Sequence, residues 1–236
     1  MQLFYAPDIT EPIYRLSEEE AIHSVKVMRL GKGSEIYLTD GCGTLYRGVI
    51  ETHDRNSCEV RITERYPDYG KRDYGVTVAV APTKNAERYE WFLEKATETG
   101  IDRIIPIECA HSERRVLKRD RGERIVTSAM KQSLKAKRPE LDELTGISEV
   151  IGMGFEGVKM IAHCNAQFPR CHIGSMPLRG TDSLILIGPE GDFSAEEIAA
   201  AEAAGFVSVT LGDSRLRTET AALSVVTIIA FMNAKY

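Results

Sequence analysis

At 236 residues the chain has room for one large domain or two modest ones, with ample core. Apolar residues at 43% and charged residues at 28% are ordinary globular values, no apolar run reaches membrane-span length, and the start lacks a signal-peptide pattern. The cytoplasm is therefore expected. The net charge of −5 argues against a generic polyanion binder, and five scattered cysteines without a C-x-x-C pair argue against a disulfide framework or a zinc site.

Residues 1–70 read as a small all-β module around one helix. Ser17 caps a short helix opened by Glu18-Glu19-Glu20 and reaching about Met28, and Arg29-Leu30-Gly31-Lys32-Gly33 makes a turn. Strands follow over Glu35–Thr39, Thr44–Thr52 and Cys58–Arg65, separated by the glycine turn at 40–43 and the break Asp54-Arg55-Asn56. Strands punctuated this closely predict a small barrel. Pro67 to Asp73 reads as a linker, and residues 74–236 as a second domain.

From Gly75 the rhythm becomes strand, helix, strand. Val76–Ala81 predicts a buried strand, and an amphipathic helix then runs to Gly100, with Trp91 and Phe92 at core spacing. Arg103–Ile107 is the next strand. A helix is predicted around Glu123–Lys137, with Lys131, Gln132 and Lys135 on its C-terminal half. Val158–Cys164 is a strand, followed by a polar connection through Arg170 and Pro177. This alternation predicts an α/β fold with a mostly parallel sheet.

The chain is organised around 183–222. Leu184-Ile185-Leu186-Ile187 is apolar enough for a strand buried on both faces, and it breaks at Gly188-Pro189-Glu190-Gly191-Asp192. Ser194 and Glu197 have capping-box spacing before an Ala-rich helix, with Gly205 beyond its end. A second strand, Phe206–Leu211, ends in Gly212-Asp213-Ser214, and an apolar helix begins after Arg215-Leu216-Arg217-Thr218-Glu219-Thr220. Two buried strands, each ending in a glycine-bearing loop before a helix, predict a small-ligand site at the carboxyl edge of the sheet. Gly-Pro-Glu-Gly is neither the dinucleotide fingerprint nor a P-loop, and Glu190 would repel a phosphate; the bland alternative is an ordinary β–α turn. The five histidines lack metal-ligand spacing, so no metal is expected.

Charge is uneven along the chain. Residues 1–70 carry 8 basic and 12 acidic side chains, residues 71–140 carry 16 and 11, and residues 141–236 carry 6 and 12. Between His111 and Arg138 ten Lys/Arg face only three carboxylates, which reads either as selective contact with a structured nucleic acid or as a solvated helix face.

These motifs, taken in order, resemble the SPOUT class of S-adenosylmethionine-dependent RNA methyltransferases, and within it the ribosomal RNA small subunit methyltransferase E family. The resemblance covers essentially the whole chain. It rests on His23 with Val27-Met28-Arg29 and Gly33, on Lys84, and on Lys95 to Gly100. It continues through Glu113-Arg114, Gln132-Ser133, Arg138-Pro139, Gly188 to Gly191, and Arg217-Thr218-Glu219-Thr220-Ala221. It implies a PUA-like RNA-binding β-barrel followed by a SPOUT parallel-sheet domain whose C-terminal segment forms a trefoil knot. It also implies a homodimer that methylates N3 of one uridine in 16S rRNA, without membrane or metal.

The resemblance assigns S-adenosylmethionine to Ile187, Gly188, Pro189, Glu190, Gly191, Leu211, Gly212, Leu216, Thr220 and Ala221. RNA contact is expected at Arg29, Lys84, Arg114, Arg115, Lys131, Gln132 and Lys135. Arg217 would stabilise charge on the uracil oxygens, and Glu219 would accept the N3 proton, or else pair with Arg217 or cap the last helix. The chain departs from the family pattern at Asp192, where a glycine is usual, at Ser214-Arg215, at Thr99 and at Lys135. The competing readings are a knotted methyltransferase with another RNA target, and an RNA-binding protein with a vestigial cofactor pocket.

Overall fold

The computed structural model describes residues 2–54 and 56–234. Met1, Arg55, Lys235 and Tyr236 lie outside the described residues, and Arg55 belongs to the predicted break after the second strand. The chain divides into two compact units: Met1–Lys71 with Thr127–Arg138, and Arg72–Val126 with Pro139–Tyr236.

In the first unit, β1 (Leu3–Tyr5) and β2 (Ile13–Arg15) precede α1 (Glu18–Ile22), whose N-cap Ser17 accepts from Glu20 N at 3.3 Å. The helix runs on into a π-helical turn, His23–Val27. Then come β3 (Glu35–Thr39), β4 (Leu45–His53) and β5 (Cys58–Tyr66). Among the described residues these form one five-stranded sheet in the order β1-β3-β4-β5-β2, antiparallel except for β1 beside β3. Alternation in β4 buries Tyr46 and Ile50, and irregularities between Arg47/Gly48 and Ile50/Thr52 bend the β4–β5 ribbon around Phe4, Ile36, Leu38 and Val60. β1 and β2, three residues each, are too short to show a periodicity in the sequence.

In the second unit, β6 (Val76–Val80), α2 (Ala86–Thr99), β7 (Arg103–Glu108) and α3 (Arg119–Gln132) come first, α3 ending within the first unit. They are followed by β8 (Glu140–Leu141), β9 (Thr145–Gly146), α4 (Ile147–Ile151), β10 (Val158–Ala162) and β11 (Cys171–His172). The unit closes with β12 (Ser183–Ile187), α5 (Ala195–Ala203), β13 (Val207–Thr210) and α6 (Thr218–Met232). Among the described residues the sheet is parallel, in the order β11-β13-β10-β12-β6-β7-β8, with β9 also beside β7.

Both faces of this sheet are covered. Val76, Val78, Val80, Ile185 and Ile187 pack with Phe92 and Leu93 of α2 and Val225, Val226 and Ile229 of α6. Ala79, Ile105, Ile107, Leu184 and Leu186 pack with Val150 of α4 and Ile198 and Ala201 of α5. Two-sided burial explains why β6 and β12 read as continuous apolar runs.

Helix α3 departs from expectation at both ends: it starts at Arg119 and stops at Gln132. Leu134 adopts φ +57, with Leu134 N bonded to Lys131 O at 3.2 Å and Lys135 N to Met130 O at 3.1 Å. That pair of bonds is a Schellman stop with leucine where glycine is usual, so the sequence carries no glycine to signal it. Lys135 therefore lies beyond the helix, and the following residues join the first unit: Thr39 Oγ1 donates to Ala136 O at 2.6 Å, and Arg138 N to Gly41 O at 2.8 Å.

Candidate functional site

A parallel sheet sends every strand's carboxyl end to one edge. The registers Ala162↔Ile187, Ala162↔Val209, Ile187↔Val80 and Val80↔Pro106 hold the ends of β10, β12, β13, β6 and β7 level there. The loops that leave this edge are 81–85, 109–118, 163–170, 188–194 and 211–217. β12 and β13 flank β10, so their loops emerge about 10 Å apart, roughly the span of a nucleoside.

The loops are stapled to one another by polar contacts. Glu190 Oε1 accepts from Lys84 N at 3.0 Å, tying the loop after β12 to the loop after β6. Arg114 donates from Nε to Thr83 O at 2.9 Å and from Nη2 to Lys84 O at 2.8 Å, while Lys84 Nζ pairs with Glu113 at 2.7 Å. Glu197 works twice: Oε2 accepts from Ser194 N at 2.8 Å, completing the predicted capping box, and Oε1 accepts from Ala110 N at 2.7 Å. Thr218 Oγ1 donates to Gly188 O at 3.0 Å and brings the start of α6 beside the loop after β12. A Cβ on Gly191 would stand 2.9 Å from the His111 Cβ, so a side chain there would push two of these loops apart.

Of the residues singled out for a cofactor, Ile187, Gly188 and Pro189 are buried, Leu211, Leu216, Thr220 and Ala221 are half-buried, and Glu190, Gly191 and Gly212 are exposed. Gly212 has φ +125, and a Cβ there would meet nothing within 4 Å. Arg217 is exposed at the N-cap of α6, where its side chain makes no capping bond. Glu219 is only 8% exposed, and its ion-pair partner is Arg88 of α2, Nε to Oε1 at 3.9 Å. Asn85, Glu87, Arg88, Trp91, Glu219 and Thr220 line a cleft of about 380 Å³. Sequence reasoning missed Arg88 and Asn85 because nothing in α2's pattern separates a site-facing arginine from a solvated one. A larger cavity, about 480 Å³, lies between Arg170, Glu202 and Phe206 near the β11–β13 edge and contains none of the singled-out residues.

The basic residues divide between the two units. Lys84, Arg114 and Arg115 belong to the second, where Arg114 fastens a loop and Arg115 pairs with Glu108 at 3.1 Å. The contact with Glu113 raises the proton affinity of Lys84, so it stays cationic. Arg29, Lys131, Gln132 and Lys135 belong to the first unit. Arg29 is exposed with φ +55, and Lys131 Nζ is bonded to the buried Glu20 at 2.6 Å. At the end of β10, His163 is buried beside Ser208, 3.0 Å from Nε2, and burial lowers its proton affinity.

Among the described residues no three or more His, Cys, Asp or Glu side chains are grouped to hold a metal, and no helix is long and apolar enough to cross a membrane. The edge instead offers neutral backbone, glycine gaps, apolar walls and scattered carboxylates.

An RNA methyltransferase domain family matches residues 71–230, and an RNA methyltransferase PUA domain family matches residues 16–63. Ribosomal RNA small subunit methyltransferase E of Mycobacterium bovis is 30% identical over 251 residues, covering 99% of this chain and 93% of its own. Among solved structures, a probable rRNA-methyltransferase from Porphyromonas gingivalis is similar with TM-score 0.93 and 45% identity, covering 99% of this chain and 98% of that one. A ribosomal RNA small subunit methyltransferase E from Neisseria gonorrhoeae bound to S-adenosyl methionine is similar with TM-score 0.89 and 26% identity, again over 99% and 98% of the chains.

Proposed function

The chain belongs to the ribosomal RNA small subunit methyltransferase E family of RNA methyltransferases, and from that premise we propose that it methylates N3 of one uridine in 16S rRNA, using S-adenosylmethionine. The observation that carries this is the Thr218–Gly188 hydrogen bond, which seats Arg217, Glu219 and Thr220 beside the glycine loop after β12.

The residues fit the cofactor. Half-buried Leu211 and Leu216 supply apolar surface, and Gly212, where a Cβ would meet nothing within 4 Å, leaves backbone open to a ligand. Glu190, Asp213 and Glu219 suit a cation and oppose a phosphate. When bound, S-adenosylmethionine supplies a methyl group on a cationic sulfur that departs as a neutral thioether.

The chain's own residues then have defined tasks. The N3 position lies on the Watson–Crick edge, so the target uridine must be unpaired or flipped out, and the cleft beside Asn85, Arg88 and Glu219 is open to receive it. N3 must lose its proton to accept a methyl group, and the Glu219 carboxylate would take that proton. Arg88 holds that carboxylate from α2, while Arg217, exposed at the N-cap, faces negative charge developing on the uracil oxygens.

The partners follow from the same reading. The first unit, with exposed Arg29, docks 16S rRNA within the small ribosomal subunit, in the cytoplasm; Lys84, Arg115, Gln132 and Lys135 add phosphate contacts. Phe231 on α6 is 69% exposed, apolar surface that a second copy of the chain would cover in a homodimer. The trefoil knot of the C-terminal segment is proposed from the family alone.

An N3-methyl group removes a base-pairing donor, so reverse transcription over treated 16S rRNA is expected to halt at one new position. Arg217→Ala and Glu219→Gln are expected to slow appearance of that stop by about 10²-fold, the usual worth of one charge-stabilising or proton-accepting group. Wild-type speed in both variants, or no new stop with the wild-type chain, would contradict the reading.

A further inference from the structure

We propose that Asp192 is a positioning residue that locks the Gly188–Gly191 loop to the end of β10 and thereby sets cofactor affinity. The proposal rests on the reading of that loop as the cofactor's seat.

Asp192 stands in the left-handed region, φ +63, where a side chain is strained and glycine is at ease. The strain has a visible return in hydrogen bonds. Asp192 Oδ2 accepts from Cys164 N at 2.7 Å, and Oδ1 accepts from Phe193 N at 2.8 Å. Its backbone is held as well: Asp192 N donates to Pro189 O at 3.0 Å, and His111 Nδ1 lies 3.0 Å from Asp192 O. One residue therefore joins the loops after β7, β10 and β12. A carboxylate is suited to the task, because each oxygen takes one backbone N–H. Asparagine would offer a single carbonyl oxygen, and glycine none.

The site is wide, and β10 runs between the strands whose loops hold the two halves of the ligand. A loop fixed before the ligand arrives loses less freedom on binding, so the lock acts on affinity. It does not touch the reacting atoms.

Titration calorimetry with S-adenosylhomocysteine and S-adenosylmethionine on the whole chain tests this. Asp192→Gly is expected to keep a melting temperature near wild type, since relief of strain at φ +63 offsets the two lost side-chain hydrogen bonds, and to raise the Kd for both ligands by about tenfold through lost preorganisation. Asp192→Asn, which tolerates the backbone angle and keeps one acceptor, is expected to fall between the two. In turnover, KM for the cofactor should rise by more than kcat falls. Wild-type affinity in Asp192→Gly overturns the proposal. A loss confined to the cationic ligand also overturns it, because that would make Asp192 an electrostatic partner and not a lock. Failure of the wild-type chain to bind either ligand would overturn the cofactor reading itself.

Discussion

Glu20 sits 6% exposed in the first unit, where its Oε1 accepts from Lys131 Nζ at 2.6 Å and from Tyr5 N at 3.4 Å. Removing one member of such a pair strands a buried charge, and that costs more than the pair contributes. Lys131→Met is therefore expected to destabilise the first unit by about 3 kcal/mol, and Glu20→Gln added to it to restore most of the loss. Chemical denaturation of the two variants checks this; equal stability of Lys131→Met and wild type would contradict it. The same pair shows why Lys131 reads as a phosphate contact in the sequence: its partner lies 111 residues away, beyond any local pattern. Arg114 is a similar case, a cation in a basic stretch whose guanidinium is directed at backbone carbonyls. Glu197, by contrast, was legible as a capping residue from its spacing to Ser194, although its second bond to Ala110 N was not.

At the scale of elements, what the sequence reveals depends on length and period. β6 and β12 announce themselves as apolar runs because both of their faces are buried, and α5 by its capping box and the glycine beyond it, Gly205 at φ +88. β8, β9 and β11 are two residues each and α4 is five, and all are set by the neighbours they pair or pack with. The end of α3 was unreadable for a different reason, a left-handed leucine. Leu134 is 39% exposed, so little packing would be lost on its removal. Leu134→Gly is therefore expected to raise stability by about 1 kcal/mol, because the strain at φ +57 disappears. Thermal unfolding measures it, and a lowered melting temperature would show that the leucine side chain matters more than the backbone angle.

At the scale of the molecule, an acidic chain carries its basic excess in one sequence segment. The structure distributes that segment over two units, because Thr127–Arg138 leaves the second and joins the first. Neither composition nor turn chemistry foretells that exchange, which depends on pairing with Thr39 and Gly41. The sheet edge, in contrast, follows from alternation alone: parallel strands put the two glycine loops on one side, where we propose that the cofactor binds.

The most direct test of this account is methyl transfer from labelled S-adenosylmethionine to small ribosomal subunits that lack their own modifications, followed by nucleoside mass spectrometry. The account predicts label in 3-methyluridine, and label in any other nucleoside, or none, would contradict it.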